Sequence, residues 1–240
     1  MVARRARVPK RVPTIPQVAA NLATLGYKHH VFLSYARPRP TERVADPPPA
    51  PALLRQARIL RDALVDSLSE YLDGADVFLD ADMAGGSKLE KTIETAICES
   101  ACMVALCAPV YFAHDWCGRE WEGGLDLSVA RLGDAREYET IIPCTTKAFK
   151  DRFYPLEEFS GRDLLAEDLS NLALWFDGST PGAAKPPVVG KVVDRILVIM
   201  ETLSGRGVRC DPTTFNLPPT PDGWKKRQPP ASSSFPLRAA

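Results

Sequence analysis

The sequence has no excess of charge of either sign and few histidines. Its 240 residues contain 30 Lys and Arg, 30 Asp and Glu, and three His, so the formal net charge is zero. A chain without a basic field is not predicted to bind nucleic acid or an anionic membrane. No apolar run approaches the roughly 20 residues that a helix needs to cross a bilayer. We therefore expect a soluble, cytoplasmic protein.

The sequence also lacks metal-binding and targeting signals. Its six cysteines form no CxxC pair, and no histidine stands near Cys98, Cys102 and Cys107. Closed zinc sites have tighter ligand spacing, so no metal is predicted, and the cysteines are interpreted as reduced, buried thiols. Three prolines within residues 9–16 interrupt the basic N-terminus. They argue against a secretory signal and against a stable transit-peptide helix.

The composition is that of one domain with two tails. The chain is 45% hydrophobic, enough to bury the core of a single domain. Residues 1–26 are predicted to be a loose, basic, Pro- and Arg-rich tail, in which 18–25 could form a short helix. The domain is predicted at 27–205, with a long loop at 37–52 that contains six prolines. Residues 206–240 are predicted to be a Pro- and Ser-rich tail, either disordered or draped over the surface.

Short apolar strands alternate with helical patterns along the domain. Strands are predicted at residues 30–35, 76–80, 102–111, 140–145 and 172–176, and helices at 53–72, 87–97, 114–132 and 188–203. This alternation predicts an α/β fold, a flavodoxin-like doubly wound parallel sheet of about five strands with helices on both faces. Ligands of such folds bind beyond the carboxyl ends of the strands.

An aromatic residue and a carboxylate stand together on the third long helix. Trp116 and Glu120 are four residues apart and therefore share one helical face. The sheet topology brings Ser34, Tyr35 and Arg37, which leave the first strand, to the same edge. Two structural interpretations stay open beside ligand binding. In the first, the tryptophan anchors the start of the helix in the core, and in the second, the glutamate only complements the helix dipole. His114, just before this helix, is interpreted as a solvent-facing cap residue.

Three motifs in sequence order resemble the TIR (Toll/interleukin-1 receptor) domain family over residues 28–203. The strand Val31–Tyr35 resembles the first signature of the family, which ends in Ser-Tyr. The strand Val77–Asp80, followed by Gly85-Gly86, resembles the second strand and the BB loop. The segment Trp116 to Glu120, with sequence WCGRE, resembles the Trp-x-x-x-Glu element of TIR domains that consume NAD.

The resemblance implies an NAD+ glycohydrolase in which Glu120 is the catalytic carboxylate. NAD+ is then the substrate, and no separate cofactor is expected. The loop from Asp82 to Lys88 would act as a movable flap. The residues implied in substrate binding are Ser34, Tyr35, Arg37, Asp82, Lys88 and Trp116.

The chemistry makes a single carboxylate plausible. Nicotinamide leaves the ribose as a neutral base from a cationic pyridinium, so no acid has to protonate it. A carboxylate near C1 of the ribose would stabilise an oxocarbenium-like transition state. The product, linear or cyclic ADP-ribose, is left open by the sequence.

Three functional hypotheses remain. The first is an NAD-cleaving TIR enzyme, a bacterial antiviral defence or signalling effector activated by self-assembly or by a separate activator protein. The second is a non-catalytic TIR adaptor that acts through homotypic TIR contacts, in which Glu120 is structural. The third and most distant is a nucleoside hydrolase or deoxyribosyltransferase of similar fold.

Overall fold

A parallel sheet forms the centre of the protein. The structure, a computed structural model, describes residues 13–37, 52–80, 87–133, 140–146, 167–168, 187–209, 211–221 and 224. The strands, named in chain order, are β1 His29–Tyr35, β2 Val77–Phe78, β3 Ser100–Cys107, β4 Ile141–Thr145 and β5 Glu167–Asp168. Their order is β2-β1-β3-β4-β5, and all neighbours are parallel. This is the flavodoxin-like order, so the predicted fold class is confirmed.

Helices cover both faces of the sheet. They are α1 Ile15–Thr24, α2 Ala52–Leu68, α3 Ser87–Cys98, α4 Asp115–Leu132 and α5 Pro187–Arg206, with a 3₁₀ helix at Pro109–Ala113. One hydrophobic cluster lies between the sheet and α1, α2 and α5, and a second lies between the sheet and α3 and α4. From Cys102 to Cys107 the residues of β3 alternate between the two clusters, and the whole strand is buried, as its continuous apolar run predicts.

Several predicted boundaries are wrong by a few residues. The third strand ends at Cys107 instead of residue 111, because the chain turns into the 3₁₀ helix at Pro109, which has no N–H to donate to a sheet. The second strand spans Val77–Phe78 instead of 76–80. The helix predicted at 53–72 ends at Leu68. The strand predicted at 172–176 lies outside the described residues, and the observed fifth strand is Glu167–Asp168.

Helix α1 lies inside the segment that was predicted to be a loose tail. It begins at Ile15, buries Val18 and Leu22, and is tied to α5 by a hydrogen bond from Asn21 Nδ2 to Ser204 Oγ of 2.8 Å. The prolines do not prevent it, because Pro16 occupies the first turn, where a helix requires no N–H donor. The folded domain therefore begins before residue 27.

The chain after α5 follows one of the two alternatives predicted for the C-terminal tail. Residues 211–221 and Trp224 lie against α3 and α4, and both Leu217 and Trp224 are buried. Of the two predicted alternatives, disorder is wrong for these residues, and a segment draped over the domain is what is observed, because single apolar anchors hold a segment that has no periodicity of its own. Among the described residues, no helix combines the length and the hydrophobicity that crossing a bilayer would require.

Candidate functional site

The topological switch point lies between β1 and β3. Strand β1 pairs with β2 on one side and β3 on the other, so the connections that leave β1 and β3 depart to opposite faces of the sheet. At this edge β1 ends in Ser34 and Tyr35, and β3 leads through the 3₁₀ helix into α4. The sequence-predicted residues of the first strand and of the Trp-x-x-x-Glu element meet here.

A cavity of about 280 Å³ opens at this edge. Its volume is near the lower end of the roughly 300–1,000 Å³ typical of small-molecule pockets, so its described part holds one end of a dinucleotide at most. The lining combines an aromatic plate, a guanidinium and an imidazole. The lining residues are Tyr35, Arg37, Leu89, Glu90, His114, Trp116 and Cys117.

Glu120 lies behind the wall of this cavity. Its side chain is buried, with 2% of the residue exposed, and it is absent from the cavity lining. Ser34 Oγ donates a hydrogen bond to Glu120 Oε2 at 2.5 Å, and the Tyr111 hydroxyl lies 2.8 Å from Ser34 Oγ. When Ser34 donates to the carboxylate, its oxygen is left to accept from Tyr111. A chain of two hydroxyl groups therefore ends on Glu120.

The pKa of Glu120 is strongly perturbed. Burial raises it from the usual 4.5 to about 8, and the nearby charge of Asp80 adds to the rise. Hydrogen bonds from Ser34 and Trp116, and the charge of Arg37, act in the opposite direction. At neutral pH most molecules therefore carry Glu120 as the neutral acid. A buried carboxyl group with a perturbed pKa beside a cleft is typical of a functional site.

An ion pair fixes Arg37 at the mouth of the site. Arg37 Nε donates to Asp80 Oδ2 at 2.6 Å, and Arg37 Nη2 donates to the Asp80 carbonyl oxygen at 2.9 Å. Burial raises the pKa of Asp80, and the hydrogen bond and charge of Arg37 oppose that rise. The guanidinium is thus held in place at the carboxyl edge, where its charge faces the cavity and opposes the rise of the Glu120 pKa.

Trp116 is held by its helical neighbour Arg119. The Arg119 guanidinium lies 4.8 Å from the centre of the Trp116 ring and also donates to Glu90 Oε1 at 2.5 Å. A cation over an aromatic face attracts its quadrupole, so the ring has a defined orientation. Trp116 is half-buried, which leaves ring surface for a flat ligand.

The structure brings together most of the sequence-predicted residues. Tyr35, Arg37 and Trp116 line the cavity, whereas Ser34 and Glu120 lie directly behind it. Asp82 is outside the described residues, and so is the side chain of Lys88. Their predicted roles, and that of the flap, therefore stay predictions.

Other residues of the site were not identified from the sequence. His114 is the N-cap residue of α4, as interpreted, but it is half-buried and lines the cavity, so the prediction that it faces solvent is wrong. Asp80 accepts a hydrogen bond from Arg37, and Tyr111 is hydrogen-bonded to Ser34. The charge of Glu120 acts on the thiol of Cys117. Cys117 is buried against the Tyr35 carbonyl, and burial holds the pKa of its thiol well above the usual value. The available signal was topological, since Asp80 ends the second predicted strand and lies two residues beyond β2 at the same edge.

Comparison with known proteins agrees with this geometry. The sequence profile described as the TIR domain matches residues 57–176, which is half of the chain and contains β2, β3, β4 and α4. No curated protein matches the sequence. The parallel sheet in flavodoxin-like order, the strand ending in Ser34-Tyr35 and the profile match lead to one conclusion: the chain belongs to the TIR domain family.

Proposed function

We propose that this TIR domain is an NAD+ nucleosidase that cleaves the bond between nicotinamide and ribose, with Glu120 as the catalytic carboxylate. The observation that carries the proposal is the buried Glu120 carboxyl group, which receives the Ser34 hydrogen bond next to a cavity lined by Trp116 and Arg37. Such a group costs folding free energy when it is ionised, and proteins retain such costs at functional sites.

The residues suit the chemistry of N-glycosyl cleavage. The C1–N bond breaks with its electron pair on nicotinamide, which leaves as a neutral base, and positive charge develops on the ribose. The ionised Glu120 carboxylate stabilises that charge. Water then adds to C1 and releases a proton, giving ADP-ribose, or an adenine nitrogen adds and gives a cyclic isomer. NAD+ is consumed as a substrate, and no further cofactor takes part.

The walls of the cavity suit two different parts of the substrate. The Trp116 ring stacks on the nicotinamide, and Arg37 neutralises a phosphate or binds a ribose hydroxyl. Because Glu120 is buried and does not line the cavity, the wall must shift for the carboxylate to reach C1. We propose that self-assembly through TIR–TIR contacts, or a separate activator protein, produces that shift in a cytoplasmic bacterial defence or signalling effector.

One observation favours the alternative of a non-catalytic adaptor. Glu120 is absent from the cavity lining and is hydrogen-bonded inside the domain, as a structural carboxyl group would be. In that case the domain acts only through homotypic TIR contacts, and the cavity has no substrate.

Nicotinamide release separates the two functions. The wild-type protein, concentrated or crowded to promote assembly, is incubated with NAD+ at pH 8, where about half of Glu120 is ionised. We expect nicotinamide and an ADP-ribose product in equal amounts, at a rate that rises more than linearly with protein concentration. Absence of release under these conditions supports the adaptor.

Replacing Trp116 is expected to weaken substrate binding. Stacking of a base on an aromatic side chain contributes about 1–3 kcal/mol, so Trp116→Ala should raise KM for NAD+ by about tenfold. Trp116→Phe keeps a stacking surface and should recover most of that loss. Steady-state kinetics at pH 8 measures both. An unchanged KM in Trp116→Ala would show that the ring does not contribute to substrate binding.

A further inference from the structure

A segment after α5 lies across the helices that carry the candidate site. We call residues 211–221 and Trp224 the C-terminal strap. Glu94 Oε1 of α3 accepts a hydrogen bond from the Leu217 N–H at 2.9 Å, and Arg119 Nε of α4 donates to the Pro218 carbonyl at 2.9 Å. The Trp224 indole N–H donates to the His114 carbonyl at 2.9 Å. The strap is therefore held by directed bonds in its middle and at Trp224, as well as by burial.

Helix α4 has glycines where the strap approaches it. A Cβ atom at Gly118 would lie 2.9 Å from the Trp224 ring, and one at Gly123 would lie 2.7 Å from Leu217 Cδ2. Glycine destabilises a helix interior relative to alanine, so these positions lower the intrinsic stability of α4. In return, they let the strap approach the helix closely.

Contacts lead from the strap to Glu120. The Trp224 ring packs against Tyr111 with 6.2 Å between ring centres, and against Phe112 with 5.5 Å. The Tyr111 hydroxyl is bonded to Ser34, and Ser34 is bonded to Glu120. Each member of this series is buried, so a shift of the Trp224 ring has to be absorbed by its neighbours.

We propose that the C-terminal strap is part of the active site and that Trp224 is a positioning residue, which holds the Glu120 carboxylate through Tyr111 and Ser34. The proposal rests on the NAD-cleaving function proposed above. The strap keeps Tyr111 against Ser34 so that the two hydroxyl groups stay aligned on the carboxylate. A partner that lifts the strap would misalign them.

Loss of this alignment has a defined electrostatic consequence. The titratable and charged groups around Glu120 are Asp80 and Arg37, just beyond the ends of β2 and β1, together with Tyr35, Tyr111, and Cys117 on its own helix. Of the contacts with the carboxyl group, the Ser34 hydrogen bond is the one that the strap supports, and it lowers the pKa of Glu120. As long as Glu120 itself stays buried, releasing the strap should therefore raise this pKa further.

The test compares two glycine-to-alanine changes in helices. Gly118→Ala places a methyl group against the Trp224 ring, whereas Gly190→Ala in α5 places one in open space. Both changes favour the helix by a similar amount, so a difference between the two variants reports on the strap. We expect Gly118→Ala to expose Trp224, seen as a red-shifted fluorescence, and to lower kcat/KM at pH 7 about tenfold. Gly190→Ala should leave both unchanged.

A direct titration of Glu120 keeps the test independent of activity. The carboxyl carbon of Glu120, followed by NMR in the wild type and in Gly118→Ala, should titrate at a higher pH in the variant by about one unit. Tyr111→Phe, which removes the hydroxyl group alone, should shift the titration in the same direction. In the variant that combines both changes, the Glu120 titration should shift no further than in the more affected single variant, because both changes break the same series of contacts.

Each outcome decides the inference. If Trp224 is exposed in Gly118→Ala while the Glu120 titration keeps its midpoint, the strap does not position Glu120. If the midpoint rises but the wild type releases no nicotinamide, the strap positions the carboxyl group and the proposed enzymatic function is wrong. If Gly118→Ala leaves Trp224 buried, the variant Trp224→Ala is titrated instead. An unchanged Glu120 midpoint in that variant likewise overturns the inference.

Discussion

Glu120→Gln is expected to reduce nicotinamide release from NAD+ by at least about 100-fold, the usual cost of removing one preorganised electrostatic group from a transition state. The amide has nearly the same shape as the carboxyl group and still accepts from Ser34 Oγ, which donates to Glu120 Oε2 in the wild type. It cannot carry the negative charge that stabilises an oxocarbenium-like ribose. The loss should therefore appear in kcat and kcat/KM together, with little change in KM.

Glu122 offers a matched control for this substitution. It lies two residues further along α4, is half-buried, and is absent from the cavity lining. Glu122→Gln makes the same chemical change on a different face of the same helix, so it should retain the wild-type rate within about twofold. Equal rates for Glu120→Gln and the wild type would show that Glu120 is not the catalytic carboxylate.

The second large effect concerns pH. The pKa of Glu120 is raised from 4.5 to about 8, and the reaction requires the ionised form. In the free enzyme kcat/KM should therefore rise about tenfold for each pH unit below 8 and level off above it. The same protein assayed at pH 6, 7, 8 and 9 supplies the profile. A rate that is flat between pH 6 and 8 would show that the catalytic group is already ionised at pH 6, contrary to the burial of Glu120.

Asp80→Asn identifies the group that titrates. The charge of Asp80 raises the pKa of Glu120, and Asp80 also pairs with Arg37, whose charge lowers it. Removing the carboxylate takes away the first effect and leaves the guanidinium free to act alone. Both changes lower the pKa of Glu120, so the midpoint of the profile should move to lower pH. A midpoint that moves upward would assign the titration to a different group.

The strands and helices were largely predictable, because the sheet is buried on both faces. A continuous apolar run marked β3, and apolar residues at helical spacing marked α2, α3 and α5. The rule that parallel strands end at one edge also predicted that Ser34 and Glu120 would meet, and they are hydrogen-bonded.

The depth of Glu120 and the contribution of the strap were not predictable in the same way. Sequence spacing places Glu120 on a helical face with Trp116, but its burial depends on Tyr111 and Ser34, which come from other elements. The strap has no periodic pattern, since it is held by single anchors such as Trp224. The glycines inside α4 were a missed signal, because a glycine in a helix often marks a close approach.

The raised pKa of Glu120 also makes the unfolding free energy depend on pH. A carboxyl group whose pKa is raised on folding contributes stability that is fully present below its unfolded pKa, near 4.5, and lost as the pH rises through about 8. Between these values the wild type should lose up to roughly 1.4 kcal/mol of unfolding free energy per pH unit from this group. Glu120→Gln cannot ionise and escapes that loss.

The most direct test of a catalytic role for Glu120 therefore measures nicotinamide release and thermal unfolding on the same samples of wild type and Glu120→Gln at pH 8.5. A catalytic carboxylate retained at a cost to folding predicts that the variant loses at least about 100-fold in rate and unfolds several degrees higher. A variant that unfolds at a lower temperature than the wild type and keeps its rate would contradict the account, because Glu120 would then be a structural residue.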